Sequence, residues 1–291
     1  MFRNPLFVCA LLFFSAVGPS AHALFDLTLN IPTPSSFTPT QLANLQTAIA
    51  QAETLWETKI TGYQPGISIT GMTISFIEGS ALGDTFPPAS VSQGGFQLAT
   101  STTIRIAASA IDNYFAWTGA GFPSPNPDYL GQNYLDDIIA HEIGHALGIG
   151  TLWLDNDLYT SGTGMYTGTH GVQAYRAEFD SAATFVPVEL AGNAGTIGQH
   201  WNQLMRSSTQ EGNPGNPFIL SPLTGITDAQ GRDTGMDLLS GALDPDYGQP
   251  FLSHTTLQSL RDLGFIVVPE PSGTVLLLFA SVTVGCCRRR M

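Results

Sequence analysis

The chain has 291 residues with 10 basic and 23 acidic side chains, 43% hydrophobic content and 31 glycines, enough for one large domain or two modest ones without disulfide staples. Four of the basic residues, Arg3 and Arg288 to Arg290, lie at the two ends and Lys59 is the only lysine, so the acidic body lacks the cations that nucleic-acid binding uses to displace counterions from phosphates. Charged residues make up only 11% and aromatics reach 10%, which argues against an intrinsically disordered chain.

Residues 1 to 23 read as a secretory signal: Arg3 supplies the positive n-region, Leu6 to Val17 the apolar h-region, and Ala21-His22-Ala23 a small-x-small cleavage site. Gly18-Pro19 breaks the apolar run short of the roughly 20 residues a membrane span needs, and the mature chain is expected to begin near Leu24. Phe37 to Leu42 opens a helix, with Thr38 and Gln41 as a capping box, Pro39 at the first helical position and Phe37 against Leu42 as a staple. Leu42, Leu45, Ile49, Ala52, Trp56 and Ile60 continue it as one buried stripe. Ile67 to Phe76 and Thr102 to Ala107 alternate with β-branched residues and predict strands. Asn133 can cap a helix with Asp136 and Asp137 in its first turn. From about Leu154 to Asp233 the chain is rich in Gly, Asn, Thr and Pro and predicts long loops. Ser253 to Leu263 predicts a last helix, with Gly264 just past its end and a strand from Phe265 to Val267. No internal repeat is present.

Cys9 lies in the signal and Cys286 and Cys287 near the other end, so the segment between offers no disulfide, no thiol nucleophile and no cysteine latency switch. Its chemistry has to come from His, Asp, Glu, Ser or Tyr. The Asn133 helix runs into His141-Glu142-Ile143-Gly144-His145-Ala146-Leu147-Gly148. His141 and His145, four residues apart, share one face and can reach one ion, while Leu135, Ile139, Ile143 and Leu147 fall on another arc that can face the core. Glu142 lies about 100° round from His141, placed to take a proton from a metal-bound water without being a ligand. This is the zincin arrangement, in which zinc lowers the pKa of water to about 7 and the glutamate serves as base. Gly148 lets the chain turn sharply out of the helix and return a third ligand beneath the metal. After signal removal His170, His200 and His254 compete for that role.

The His141 to Gly148 run resembles the metzincin zinc metalloproteases. Where the short metzincin consensus has its third histidine this chain has Thr151. The leishmanolysin-like branch instead inserts a long segment before a histidine followed by tryptophan, and His200-Trp201 resembles that, as do Val186-Pro187-Val188-Glu189, Gly195-Thr196 and Gly148 to Trp153. The likeness runs from about Tyr134 to Phe265. It implies an α+β metzincin-like zincin with a mixed sheet, an active-site helix and an irregular, loop-rich C-terminal subdomain. It also implies a zinc endopeptidase acting on polypeptides, with His141, His145 and His200 as ligands and Glu142 as base. His170 is expected in a surface loop, and His254 in the first turn of the last helix. Met236 to Gly241 resembles the family's acidic-Leu-Met-Thr-Gly stretch, which puts Leu239 at the position of the methionine beneath the metal, with Met236 and Met205 as alternatives. Asp155-Asn156-Asp157 and Asp244-Pro245-Asp246 could offer oxygens to calcium, though each lacks a complete EF-hand pattern. Two other classes stay open: a zinc hydrolase of non-peptide amides, and a non-catalytic zinc-binding surface or matrix protein. A structural zinc site, however, closes with a fourth protein ligand and has no use for Glu142.

Val268-Pro269-Glu270-Pro271-Ser272, an uncharged stretch from Gly273 to Cys287 and Arg288-Arg289-Arg290 together resemble a PEP-CTERM sorting signal. That implies an exosortase-type processing enzyme as partner, transient membrane association through the tail, and a final place at the cell surface or in the extracellular matrix. The expected organisation is a signal at 1 to 23, a metallopeptidase domain at 24 to 267 (subdomains 24 to 150 and 151 to 267) and a sorting tail at 268 to 291.

Overall fold

The computed structural model describes residues 25–31, 36–116, 133–190, 195–202, 224–241, 243 and 249–269. The expected signal, nearly all of the tail, Met205 and Asp244 to Asp246 lie outside these residues. The elements in chain order are β1 (Asp26–Asn30), α1 (Pro39–Lys59), β2 (Ile60–Tyr63), β3 (Gly71–Gly79), β4 (Gly83–Thr85), β5 (Ala89–Gln93), β6 (Phe96–Ala107), α2 (Ala108–Tyr114), α3 (Leu135–Ala146), β7 (Met165–Tyr166), α4 (Thr169–Glu178), β8 (Val186–Pro187), a 3-10 turn (Thr234–Met236), α5 (His254–Asp262) and β9 (Phe265–Val267). The architecture is mixed α and β, as expected for the α+β class.

The main sheet is mixed and runs β1-β3-β6-β4, with β5 also paired to β6. β1, β3 and β6 are parallel, whereas β4 and β5 lie antiparallel to β6. Leu27, Met72, Ile74, Phe76, Leu98, Ile104 and Ile106 from this sheet join the core with α1 and α3. Burial of this apolar surface, at about 25 cal/mol per Å², is the main term holding α3 in place.

α1 forms as its sequence predicts. Thr38 Oγ1 accepts from Gln41 N at 3.3 Å, Gln41 Oε1 accepts from Thr38 N at 2.9 Å, and Pro39 is the first helical residue. The buried stripe is Leu45, Ala48, Ile49, Ala52, Leu55 and Trp56, with Leu42 only half-buried. Trp56 Nε1 donates to the Ala140 carbonyl of α3 at 2.9 Å, tying the two helices together. The strand predicted from Ile67 begins instead at Gly71, and that predicted from Thr102 begins at Phe96, because the second strand extends back to pair with β5 in a hairpin closed at Gly94-Gly95.

Two expectations are corrected. The Leu154 to Asp233 region is not all loop: it contains α4, and His170 is the second residue of that helix, half-buried. α4 has no cap of its own; Asp262 of α5 accepts from His170 N at 3.0 Å and from Gly171 N at 2.9 Å. α3 also differs from expectation, since every one of its residues is buried, Asp136 and Asp137 included. It is a core helix and not a one-faced amphipathic one.

Candidate metal centre

Asn133 starts the helix that carries the site. Its Oδ1 accepts from Leu135 N at 2.9 Å and Asp136 N at 3.1 Å, satisfying two of the first free donors of α3. At the other end Thr151 Oγ1 donates to the His145 carbonyl at 2.6 Å, so the residue in the short-consensus ligand position closes the helix instead. The chain then leaves through Gly148 (φ 111) and Gly150 (φ 77). A Cβ on Gly150 would lie 2.0 Å from the Gln199 carbonyl oxygen, so only glycine lets this backbone pass directly beneath the segment that carries His200.

That segment is fixed by backbone hydrogen bonds. Glu189 N donates to the His200 carbonyl at 2.9 Å, Gly198 N to Glu189 O at 2.8 Å, and Trp201 N to Leu239 O at 3.0 Å. His200 therefore reaches the helix through a short ladder on Val188-Glu189 and the 237–240 turn, despite its distance in sequence from His145.

The three imidazoles meet at their Nε2 atoms: His141 to His145 at 3.0 Å, His145 to His200 at 2.9 Å and His141 to His200 at 3.2 Å. All three are buried, and they are the one cluster of three or more metal-binding side chains among the described residues. Each Nδ1 faces a backbone carbonyl, Leu238 O at 2.5 Å from His141, Ile149 O at 2.8 Å from His145 and Thr196 O at 3.1 Å from His200. A carbonyl can only accept, so each Nδ1 carries the proton and each Nε2 turns a lone pair toward the other two. Protonation is no remedy: burial, reinforced by His145, lowers the His141 pKa to about 3, and burial lowers that of His145 to about 4. Three Nε2 atoms converging in a buried pocket form a group that could hold a metal ion. Tetrahedral zinc, with bonds of about 2.0–2.1 Å, spaces its nitrogens about 3.4 Å apart, so the cluster fits with slight expansion. His170 and His254 lie elsewhere, at the starts of α4 and α5.

Glu142 is not part of the nitrogen cluster. Its carboxylate lies against β4, where Thr85 Oγ1 donates to Oε2 at 2.7 Å and Gly83 leaves room that a Cβ would take, 2.8 Å from Oε1. Burial pushes its pKa up to about 7, the Thr85 hydrogen bond opposes the rise and nearby Asp84 adds to it. Asp84 in turn is paired with Arg105. Nothing in the short Gly-Asp-Thr segment announces β4 as the support for this glutamate.

Beneath α3 the 237–240 turn supplies the packing element. A Cβ at Gly144 would meet Leu239 Cδ1 at 2.9 Å, and Leu239 is fully buried whereas Met236 is half-buried. Leu239 thus fills the place beneath the ligand helix. Asp237, the acidic member of the Met236 to Gly241 stretch, is also buried, a placement that its local sequence does not announce. Burial raises its pKa to about 6, against the opposing pull of donors on Ser253, Leu239 and Thr256. Among the possible calcium ligands, Asn156 Oδ1 is engaged by Gln97 N at 2.9 Å, and Asp155 and Asp157 are exposed.

No family model, curated protein or solved structure matches this chain.

Proposed function

We propose that the protein is an exported zinc-dependent endopeptidase of metzincin type, leishmanolysin-like, in which His141, His145 and His200 hold the ion and Glu142 is the general base. The observation that carries this reading is the convergence of three imidazole Nε2 atoms, each ring with its Nδ1 fixed on a backbone carbonyl. Zinc, when bound, supplies Lewis acidity that activates water near neutral pH and polarises a carbonyl. The chain's residues do the rest. The imidazoles orient the ion, Thr85 holds Oε2 of Glu142, and Oε1 is left to take up and release the proton. A polypeptide suits the site better than a small amide, because among the described residues β4 ends its sheet, and a strand edge can pair with an extended peptide through backbone donors and acceptors. Export rests on residues 1 to 23, and processing by an exosortase-type enzyme on Val268 to Arg290; both are carried by sequence alone.

Peptide hydrolysis with and without chelator tests the reading. Glu142→Ala should retain zinc while turnover falls by about 10²–10⁴-fold, and undiminished turnover would remove the glutamate from the mechanism. A wild-type protein that binds zinc yet cleaves no peptide points to the non-catalytic alternative.

A further inference from the structure

The peptide unit between Leu238 and Leu239 is engaged at both ends. Its carbonyl accepts from His141 Nδ1 at 2.5 Å, and its N–H donates to Asp237 Oδ1 at 2.7 Å. The order is thus carboxylate, peptide N–H, peptide C=O, imidazole N–H, and then the bare Nε2 that faces the other two histidines. Histidine ligands commonly give their second N–H to a carboxylate or a carbonyl, which fixes the ring and strengthens the ligand. Here one peptide bond connects the two kinds of partner.

Asp237 is built in firmly. Oδ2 accepts from Ser253 N at 3.1 Å, and the Thr256 hydroxyl lies 2.9 Å from Oδ1 and 2.8 Å from Oδ2. Thr256 Oγ1 also accepts from Trp201 Nε1 at 2.7 Å, so the same carboxylate reaches the residue next to His200. Ser253 is the N-cap of α5, where the helix dipole favours a negative charge. A divalent ion held only by neutral imidazoles gains from buried negative charge nearby, and hydrogen bonds to an ionised acceptor are roughly twice as strong as neutral ones.

We infer that Asp237 is a positioning residue for the metal centre, acting on His141 through the Leu238-Leu239 peptide so that the imidazole is held in register and made a stronger donor to the ion. This rests on the metal reading given above. It gives the acidic residue of the Met236 to Gly241 stretch a role toward the metal centre.

The test is zinc affinity by chelator competition, with nitrogen-15 NMR of the three ligand imidazoles, in the wild type and Asp237→Asn. The variant keeps the shape of the side chain and an oxygen for Leu239 N, and removes the charge. Zinc affinity should fall by about 10–100-fold, and the His141 Nδ1 proton should lose deshielding while those of His145 and His200 hold their positions. A general loosening of the fold would move all three. If the variant does not fold, zinc loading of the wild type decides: the Leu239 amide proton should shift downfield while the Ser68 amide proton, held by Gln93 Oε1 outside this network, stays in place. A wild type that binds no zinc overturns the metal reading and this inference together. A wild type that binds zinc beside an equally tight Asp237→Asn, or a Leu239 amide indifferent to zinc, overturns the relay alone.

Discussion

Replacing Gly150 by alanine tests whether the loop leaving α3 sets the position of His200. At φ 77 an alanine costs about 1–2 kcal/mol in backbone strain. The new Cβ would also lie 2.0 Å from the Gln199 oxygen and 2.9 Å from the Gln199 Cα, so one backbone must withdraw by about 1.4 Å to restore van der Waals contact. His200 is the next residue, and a metal site tolerates only about 0.2 Å in its bond lengths. Strain and displacement together amount to roughly 2–4 kcal/mol, or about 4–16 °C in Tm for a domain of this size. Zinc affinity should fall by at least the roughly 10–100-fold seen when outer partners of ligands are lost. Gly162 is the matched control: its φ is 78, yet nothing lies within 4 Å of a Cβ built there. Gly162→Ala should therefore show only the backbone cost and leave zinc affinity unchanged. Melts of the metal-free proteins and chelator competition make the comparison. A Gly150→Ala protein that matches Gly162→Ala in both would mean that the close backbone approach does not hold His200.

Leu239→Ala opens a cavity beneath Gly144 and should cost about 2–5 kcal/mol, read as a lowered denaturation midpoint; a loss under about 1 kcal/mol would mean the turn does not support α3. Asp136 is raised to about 7, chiefly by burial, against about 3.9 unfolded, so between those values the folded chain binds more protons than the unfolded one. Its contribution to stability is then fullest below about pH 4 and is lost as pH rises toward 7, and Asp136→Asn should remove up to about 1.4 kcal/mol per pH unit of falling slope; identical slopes in urea titrations would contradict this. Mass spectrometry of the mature protein from its host should find a start near Leu24 and no Arg288 to Arg290, whereas an end at Met291 would sink the sorting-tail proposal.

The features legible in the sequence are those whose determinants are local. The Thr38-Gln41 box and the apolar stripe behind it define α1 within one stretch of chain, and His141, Glu142 and His145 are related by a single helical turn. α4 was not legible because its cap comes from Asp262, 92 residues from His170, while its own Gly-Thr-His-Gly start reads as loop. β4 was not legible because three residues without an apolar alternation become a strand only by pairing with β6. Asp136 and Asp137 were legible as first-turn acids, but the sequence does not say that the surrounding elements bury them.

His200 lies between these cases. Spacing alone left three candidate histidines, and the resemblance to one metzincin branch favoured this one. What brings it to the helix is a set of long-range hydrogen bonds, from Glu189 to its carbonyl, from Trp201 to Leu239, and from the Trp201 indole to Thr256. Each joins segments that no local pattern connects, so the third histidine of the cluster is a property of the tertiary structure. α3 depends on the same contacts. A helix with Asp136, Asp137, His141, Glu142 and His145 all buried carries a heavy desolvation cost, and the Leu238 and Ile149 carbonyls with the Thr85 hydroxyl offset only part of it. On the proposed metal reading, a cation held by the three converging imidazoles would bind only the folded chain, so its binding would add to the stability of this helix and of the turn that supports it.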